Sequence, residues 1–440
     1  MSLLLVSFFS VVGIISGKLL FKKWFNHLTL YCIIWGVMLF LYEWKLLPYT
    51  DITPLTWFYI ISGFCSFLFG ILTIRSARNL KTEHKFSFKD PQNALKIFID
   101  GGKTVKYALL FFSLISLYGA LQHWSVLIDK FGSVAGVFLN ASTIYRLNAS
   151  GGIKGQVPFI AVLAYVAIFF SGVYTAYKGR FSFLTFLPFL GIIIKELATI
   201  GRAGILLGLV EFLVSFFLFR NLLSDDPSKK FRFSKKNAVI SFTLLIVFFI
   251  ASISLVRISR GSFEHYSGAS RELNQFKGNI IFTPSVYLYL SSHVGVLSKY
   301  VSSEREDTKF GQNTFLTLYH VLNKFDLVER DSDYQKGYFI PMWTNTGTYL
   351  RELDADFGII GLLVIPYLLG VFITWFWYKF YEDKNLIVFT LLVYLYLIVG
   401  LSFFIMISRT SYWSISLLVT VLSIPVLEKI AGFVNSRAVE

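Results

Sequence analysis

Residues 351–384 read RELDADFGIIGLLVIPYLLGVFITWFWYKFYEDK. Arg351, Glu352, Asp354 and Asp356 crowd one end. No charged residue interrupts Phe357 to Tyr378, and Lys379 and Lys384 follow at the other end. At 1.5 Å per residue, a helix over the uncharged run covers the roughly 30 Å hydrocarbon core of a bilayer. In lipid such a run must be helical, because its amides and carbonyls have no water to bond. Similar apolar windows recur at roughly 3–21, 28–44, 55–74, 105–122, 157–177, 181–199, 203–219, 238–257, 386–407 and 411–427, which makes eleven in all. The expected fold class is an all-α polytopic membrane protein.

Composition points the same way. Hydrophobic residues make up 55% of the 440 and charged residues 15%, with 47 phenylalanines. Soluble domains carry about 25% charged residues, so a set of soluble domains is excluded. Cys32 and Cys65 both lie in apolar windows and suggest no disulfide framework, redox pair or zinc site. Leu3 to Ile15 are apolar, but the nearest basic residues, Lys18, Lys22 and Lys23, follow them rather than precede them. That order reads as a retained helix and not a cleaved signal.

The net charge of +15 is unevenly distributed. The segments 18–23, 75–106, 178–180, 220–236, 379–384 and 429–437 hold 23 Lys and Arg between them. The short loops of the alternate set hold 7, and the long segment between the eighth and ninth windows holds 11, counting Arg257 and Arg351 at its edges. Positively charged short loops stay in the cytoplasm, while long loops are exempt. The expectation is an N-terminus outside, a C-terminus in the cytoplasm and the long loop outside. The chain then divides into spans one to eight (1–257), an extracytoplasmic loop subdomain (258–356), and spans nine to eleven with the cytoplasmic end (357–440). Basic runs such as SKKFRFSKK at 228–236 read as topology signals facing anionic lipid, not as a nucleic-acid surface.

The outer loops carry helical patterns. Residues 126–147 place apolar side chains at near-helical spacing, as in a helix lying along the membrane surface. In the long loop, Thr283-Pro284 forms a helix start. Val286, Leu290, Val294, Leu297 and Val301 follow it in one stripe, and Phe315, Tyr319, Leu322 and Phe325 form a second. Two amphipathic helices in a loop of this length argue for function rather than connection.

Arginines mark the outer ends of the spans. They are Arg202, Arg257 and Arg260 one turn apart, Arg351, and Arg409. An arginine at such a depth snorkels to the interface, pairs with a carboxylate or contacts a ligand. Guanidiniums form paired hydrogen bonds to phosphate and stay charged at any relevant pH. A lipid-linked diphosphate presents its phosphates at headgroup level. Arginine can stabilise the departing charge when that diphosphate is a leaving group. His293, Glu352 and Asp356 are the candidate proton acceptors, although Arg351 and Asp354 also have the spacing of a simple helical salt bridge. Likewise, Glu196 is placed to pair with Arg202. Asp354-Ala355-Asp356 and Asp331-Ser332-Asp333 both fit a D-x-D pattern too short to define a metal site, so no metal and no cofactor is expected.

Four motifs carry a resemblance. They are GRAG at 201–204, VRISRG at 256–261, TNTGTYLRELDADFGIIGLLVIPYLLG at 344–370, and the arginine of ISRTSYWS at 407–414. With the span pattern, the chain resembles the bacterial O-antigen polymerases, which polymerise oligosaccharide repeat units. The resemblance implies a GT-C-like helical membrane fold and an inverting, metal-independent glycosyltransferase of the cytoplasmic membrane. Its substrates would be undecaprenyl diphosphate-linked oligosaccharides at the outer face, with membrane lipid and a chain-length regulator as partners. It makes Arg202, Arg257, Arg260, Arg351 and Arg409 diphosphate and glycan contacts. The paired arginine–glycine repeats of some relatives are not found at Arg257, Arg260 or Arg351. An O-antigen ligase shares this chemistry with a different acceptor. A lipid-linked oligosaccharide flippase is the alternative from another class, though related halves and midplane charges, common in transporters, are not evident here.

Overall fold

A computed structural model describes residues 2–79, 96–149, 152–153, 155, 157, 159–199, 201–223, 243, 268–276, 284–303, 305, 310–329 and 335–437. In chain order its helices are α1 (Ser2–Phe21), α2 (His27–Glu43), α3 (Pro54–Asn79), α4 (Lys103–Phe131), α5 (Val134–Leu139), α6 (Ala141–Ala149), α7 (Leu163–Lys178), α8 (Phe183–Thr199) and α9 (Ala203–Leu223). Then come α10 (Arg271–Gln275), α11 (Pro284–Ser291), α12 (His293–Ser302), α13 (Leu316–Asn323), α14 (Tyr349–Asp383), α15 (Leu386–Leu401) and α16 (Ser411–Arg437). The described strands, β1 (Tyr338–Phe339) and β2 (Trp343–Thr344), form one antiparallel hairpin ahead of α14.

The protein is a helical, membrane-embedded chain. Six described stretches are long and apolar enough to cross a bilayer: Pro54–Arg78, Lys103–Phe131, Ile160–Lys178, Ala203–Leu223, Tyr349–Asp383 and Ser411–Arg437. Val6–Phe21, His27–Glu43 and Leu386–Leu401 are shorter apolar helices. Apart from Thr243, the expected span at 238–257 lies outside the described residues. Lipid-facing stripes are visible directly. On α16, Leu418, Leu422, Val426, Ile430 and Phe433 are all exposed at helical spacing, a contiguous apolar face of the kind a bilayer covers.

Helix ends differ from the sequence windows where side chains compete for the backbone. The window 386–407 stops as a helix at Leu401. Beyond it, the Ser402 carbonyl accepts from Tyr349 N at 2.8 Å and the Ser402 hydroxyl accepts from Trp35 Nε1 at 2.9 Å. Met406 N donates to Glu352. The window 105–122 instead runs on to Phe131, absorbing the start of the stretch expected at the membrane surface. Gly132, at φ 82°, ends it in the left-handed conformation.

Two compact units divide the chain. The first comprises Met1–Ser87, Phe263–Tyr378 and Leu395–Thr410; the second comprises Phe88–Ser262, Lys379–Tyr394 and Ser411–Glu440. These are divisions by packing, whereas 1–257, 258–356 and 357–440 are divisions by position along the chain.

In the first unit α3 and α14 cross backbone to backbone. A Cβ on Gly70 would run into the Tyr367 carbonyl, and one on Gly370 into the Phe67 carbonyl, the close approach that small residues allow between apolar helices. Helix α14 breaks at Gly358, whose φ of 63° and ψ of −158° suit only glycine. Residues 349–357 therefore form a separate cap ahead of the apolar run. The loop helices dock onto the α2–α3 connection. Tyr287 OH donates to Leu41 O and accepts from Leu46 N, and Tyr49 and Ser291 share a hydrogen bond of 2.7 Å.

In the second unit α7 is central. Ala164 to Val173 are all buried, as a helix apolar on every side requires. Helices α4, α8 and α9 pack around it. Val137 of α5 and Ile144 of α6 bury themselves against Leu127 and Ala198.

Candidate functional site

The expected helix over 284–301 forms, but as two pieces, α11 and α12, separated at Ser292. Its stripe deepens toward the C-terminal end, where Val294, Leu297 and Val301 are buried. Helix α12, the cap of α14 and the 402–409 segment together enclose the charged residues of the first unit.

Glu352 is 1% exposed and Arg409 5% exposed. Their side chains pair at 2.5 Å. The second Glu352 oxygen takes the Met406 amide, and Gln335 Nε2 also donates to the carboxylate. Arg409 sits on a short 3₁₀ turn, Ile407–Arg409, that the end of α15 leads into. Arg351 is 1% exposed. Its guanidinium donates to the Lys336 carbonyl at 2.8 Å and lies 5.1 Å from the centre of the Tyr338 ring and 5.8 Å from that of Tyr300. A second donor reaches the Asn345 carbonyl at 3.4 Å, so carbonyl oxygens and two ring faces hold the cation.

The other acids of the cap serve as anchors. Asp354 accepts from Tyr59 OH at 3.0 Å and from Tyr300 OH at 2.8 Å, with Arg305 Nε 4.0 Å away. Arg305 also donates to Tyr59 OH at 2.8 Å. Asp356 accepts from the backbone amides of Asn313 and Thr314 and from both their side chains, at 2.6–3.0 Å. It fixes the turn that opens α13, whose Thr317 hydroxyl in turn donates to Arg409 O at 3.1 Å.

His293 is the first residue of α12 and is 1% exposed. Its ring packs edge-on against Phe403 and Phe404. Its Nδ1 lies 3.2 Å from Thr346 O. A carbonyl can only accept, so Nδ1 carries the proton and Nε2 the lone pair. Nε2 is buried with no hydrogen-bond partner among the described residues. Burial pushes the imidazole down to about 4.

Arg202 belongs to the second unit. It is 7% exposed and immediately precedes α9. In the same unit the Lys195 ammonium bonds Glu196 Oε1 at 2.9 Å and Tyr412 OH at 2.7 Å, and Glu196 Oε2 accepts from the amide of Gly204, two residues after Arg202, at 3.3 Å. Arg257 and Arg260 lie outside the described residues.

Arg351, Arg409, Glu352, Asp356 and His293 therefore share one unit, and Arg202 sits in the other. Sequence reading overlooked Lys195, Tyr165, Tyr412 and the tyrosines that hold Asp354. A lysine late in an otherwise apolar window was the available signal for the first; nothing local marks the tyrosines. No family model matches the chain, and neither the curated proteins nor the solved structures compared with it give a match.

Proposed function

We propose that this chain is a glycosyltransferase of the repeat-unit polymerase kind. It would join oligosaccharides carried on undecaprenyl diphosphate at the outer face of the bacterial cytoplasmic membrane, with the long loop outside. One observation carries the reading: two fully buried guanidiniums, Arg351 and Arg409, flank Glu352 on the cap of an apolar helix. Burying an ion pair stabilises a fold no better than apolar packing does, so charge retained at such a place points to a ligand of opposite sign.

In this reading Arg351 and Arg409 grip the donor diphosphate. An acceptor sugar hydroxyl attacks the anomeric carbon from the opposite face. The new glycosidic bond forms as the bond to the diphosphate oxygen breaks, and that oxygen keeps the electron pair. The proton goes to a base. His293 Nε2 is the best placed, being a buried lone pair with no partner among the described residues. A diphosphate nearby would raise its proton affinity toward neutrality. Glu352 is the second choice, while Asp356, committed to four donors, is left as an anchor. The cover formed by α12 would exclude water, the competing nucleophile.

The test is purified protein in lipid with a synthetic undecaprenyl diphosphate-linked repeat unit and EDTA. A ladder of lipid-linked polymer that persists under chelation and disappears in Arg351→Ala supports the reading. A single transfer onto lipid A core indicates a ligase instead, and intact substrate moved across the bilayer indicates a transporter.

A further inference from the structure

The charge at the start of α9 has no part in the chemistry above. Lys195 and Glu196 are 8% and 4% exposed, and Arg202 7%. Tyr165 of α7 is 1% exposed, and its hydroxyl has no hydrogen-bond partner among the described residues. A Cβ on Gly204 would stand 2.6 Å from that hydroxyl and 2.5 Å from Glu196 Oε1. Hydroxyl, carboxylate and first turn of α9 therefore occupy one spot. The Tyr412 ring faces Tyr165 at 5.4 Å and carries the Lys195 ammonium 4.2 Å from its centre.

Helix α9 runs 21 residues, Ala203–Leu223. Its first turn presents amide hydrogens and the positive end of the helix dipole, which suits an anion. A buried ammonium, Lys195, and a buried hydroxyl with no partner among the described residues meet there, and Arg202 immediately precedes the helix. Glu196 already places one anionic group against this end, through the Gly204 amide.

We propose that the start of α9 is a second phosphate site, holding the diphosphate of the acceptor lipid; this rests on the polymerase reading. The acceptor keeps its own diphosphate through the reaction. Its attacking hydroxyl lies at the far end of the repeat unit, so its phosphates cannot occupy the contacts of the departing diphosphate. A polymerase of this chemistry therefore needs two phosphate sites at headgroup level. Tyr165, the amides opening α9, Lys195 and Arg202 supply donors for the second one, and Glu196 keeps Lys195 in place when no phosphate is bound.

Equilibrium binding of radiolabelled geranylgeranyl diphosphate to the full-length protein in phosphatidylcholine nanodiscs counts the sites. Two sites per chain are expected, falling to one in Tyr165→Phe/Lys195→Met. Tyr165→Phe alone, which removes one oxygen and keeps the ring, weakens the second site about 10-fold. One site in the wild type, or two in the double variant, overturns the second site and leaves the polymerase reading standing. No binding at all sinks both. Displacement by inorganic pyrophosphate as effective as by the lipid diphosphate overturns the lipid assignment. Displacement by phosphatidylglycerol in the disc overturns the acceptor assignment.

Discussion

Each compact unit buries a cluster of charge, and the two are satisfied to different degrees. In the first, Glu352 has Arg409, Gln335 and the Met406 amide, Asp354 has two tyrosine hydroxyls, and Asp356 has four donors. Its carboxylates are saturated, while His293 Nε2 and Thr348 Oγ1 are among its buried atoms with no hydrogen-bond partner in the described residues. In the second, a single carboxylate, Glu196, serves Lys195 and Gly204 N while Tyr165 OH goes without a partner among the described residues. Saturated carboxylates build a scaffold. The leftover donors and lone pairs are where a ligand adds bonds that the fold lacks.

Breaking the Glu352–Arg409 pair tests the scaffold half of that contrast and carries the largest effect. Arg409→Ala strands a buried carboxylate and should cost about 3–5 kcal/mol, read as a lower unfolding midpoint in detergent. Glu352→Leu combined with Arg409→Met should restore most of the lost stability, because matched apolar replacements of buried pairs are often neutral. Activity should stay absent in the double variant. A double variant that is both stable and active would leave the pair a purely structural role.

His293 gives the next largest effect, through pH. Its ordinary value is 6.5 and its folded value about 4, so between those pH values the unfolded chain binds more protons. Stability then falls as pH drops from 6.5 through 4, by about 3 kcal/mol for the full shift. His293→Gln should flatten that part of the stability curve. If His293 is also the base, turnover of the wild type with saturating substrate should lose activity on the acid side above pH 4, since bound diphosphate raises the imidazole. An acid limb that is unchanged in His293→Gln would assign the proton to another group.

Asp356→Asn is smaller again. The turn keeps its shape, but bonds to a charged acceptor become bonds to an amide, at a cost of about 2 kcal/mol. The turn at 310–315 should become more sensitive to limited proteolysis, while the ladder assay changes only as far as α13 loosens its hold on the Arg409 segment.

Much of the architecture was legible because hydrophobic length and the burial of helix faces act locally. Ten of the eleven apolar windows fall on described helices, and six described stretches are long and apolar enough to cross a bilayer. The breaks were not legible. At Ser402 the helix ends where the backbone and hydroxyl meet Tyr349 and Trp35, residues far along the chain, and at Gly358 it breaks through a backbone conformation that an isolated glycine in an apolar run does not announce. The same limit applies to the site. Arg351 and Asp354 have the spacing of a salt bridge, yet Asp354 takes tyrosines from α3 and α12 and Arg351 reaches the Lys336 carbonyl. Spacing within one helix could not reveal partners 54 and 295 residues away.

The smallest expected change in stability bears most directly on the contrast between the units. Tyr165→Phe removes a buried hydroxyl that has no partner among the described residues and keeps the ring beside Tyr412. Deleting an unsatisfied buried polar atom is neutral or mildly stabilising, within about 1 kcal/mol. The same substitution removes a donor to an acceptor phosphate. It should therefore raise the acceptor KM in the ladder assay while leaving the unfolding midpoint unchanged or slightly higher. A loss of more than about 1.5 kcal/mol would mean that the hydroxyl is bonded in the folded protein. The second cluster would then be as fully satisfied as the acids of the first, with no donor left over to recruit a phosphate.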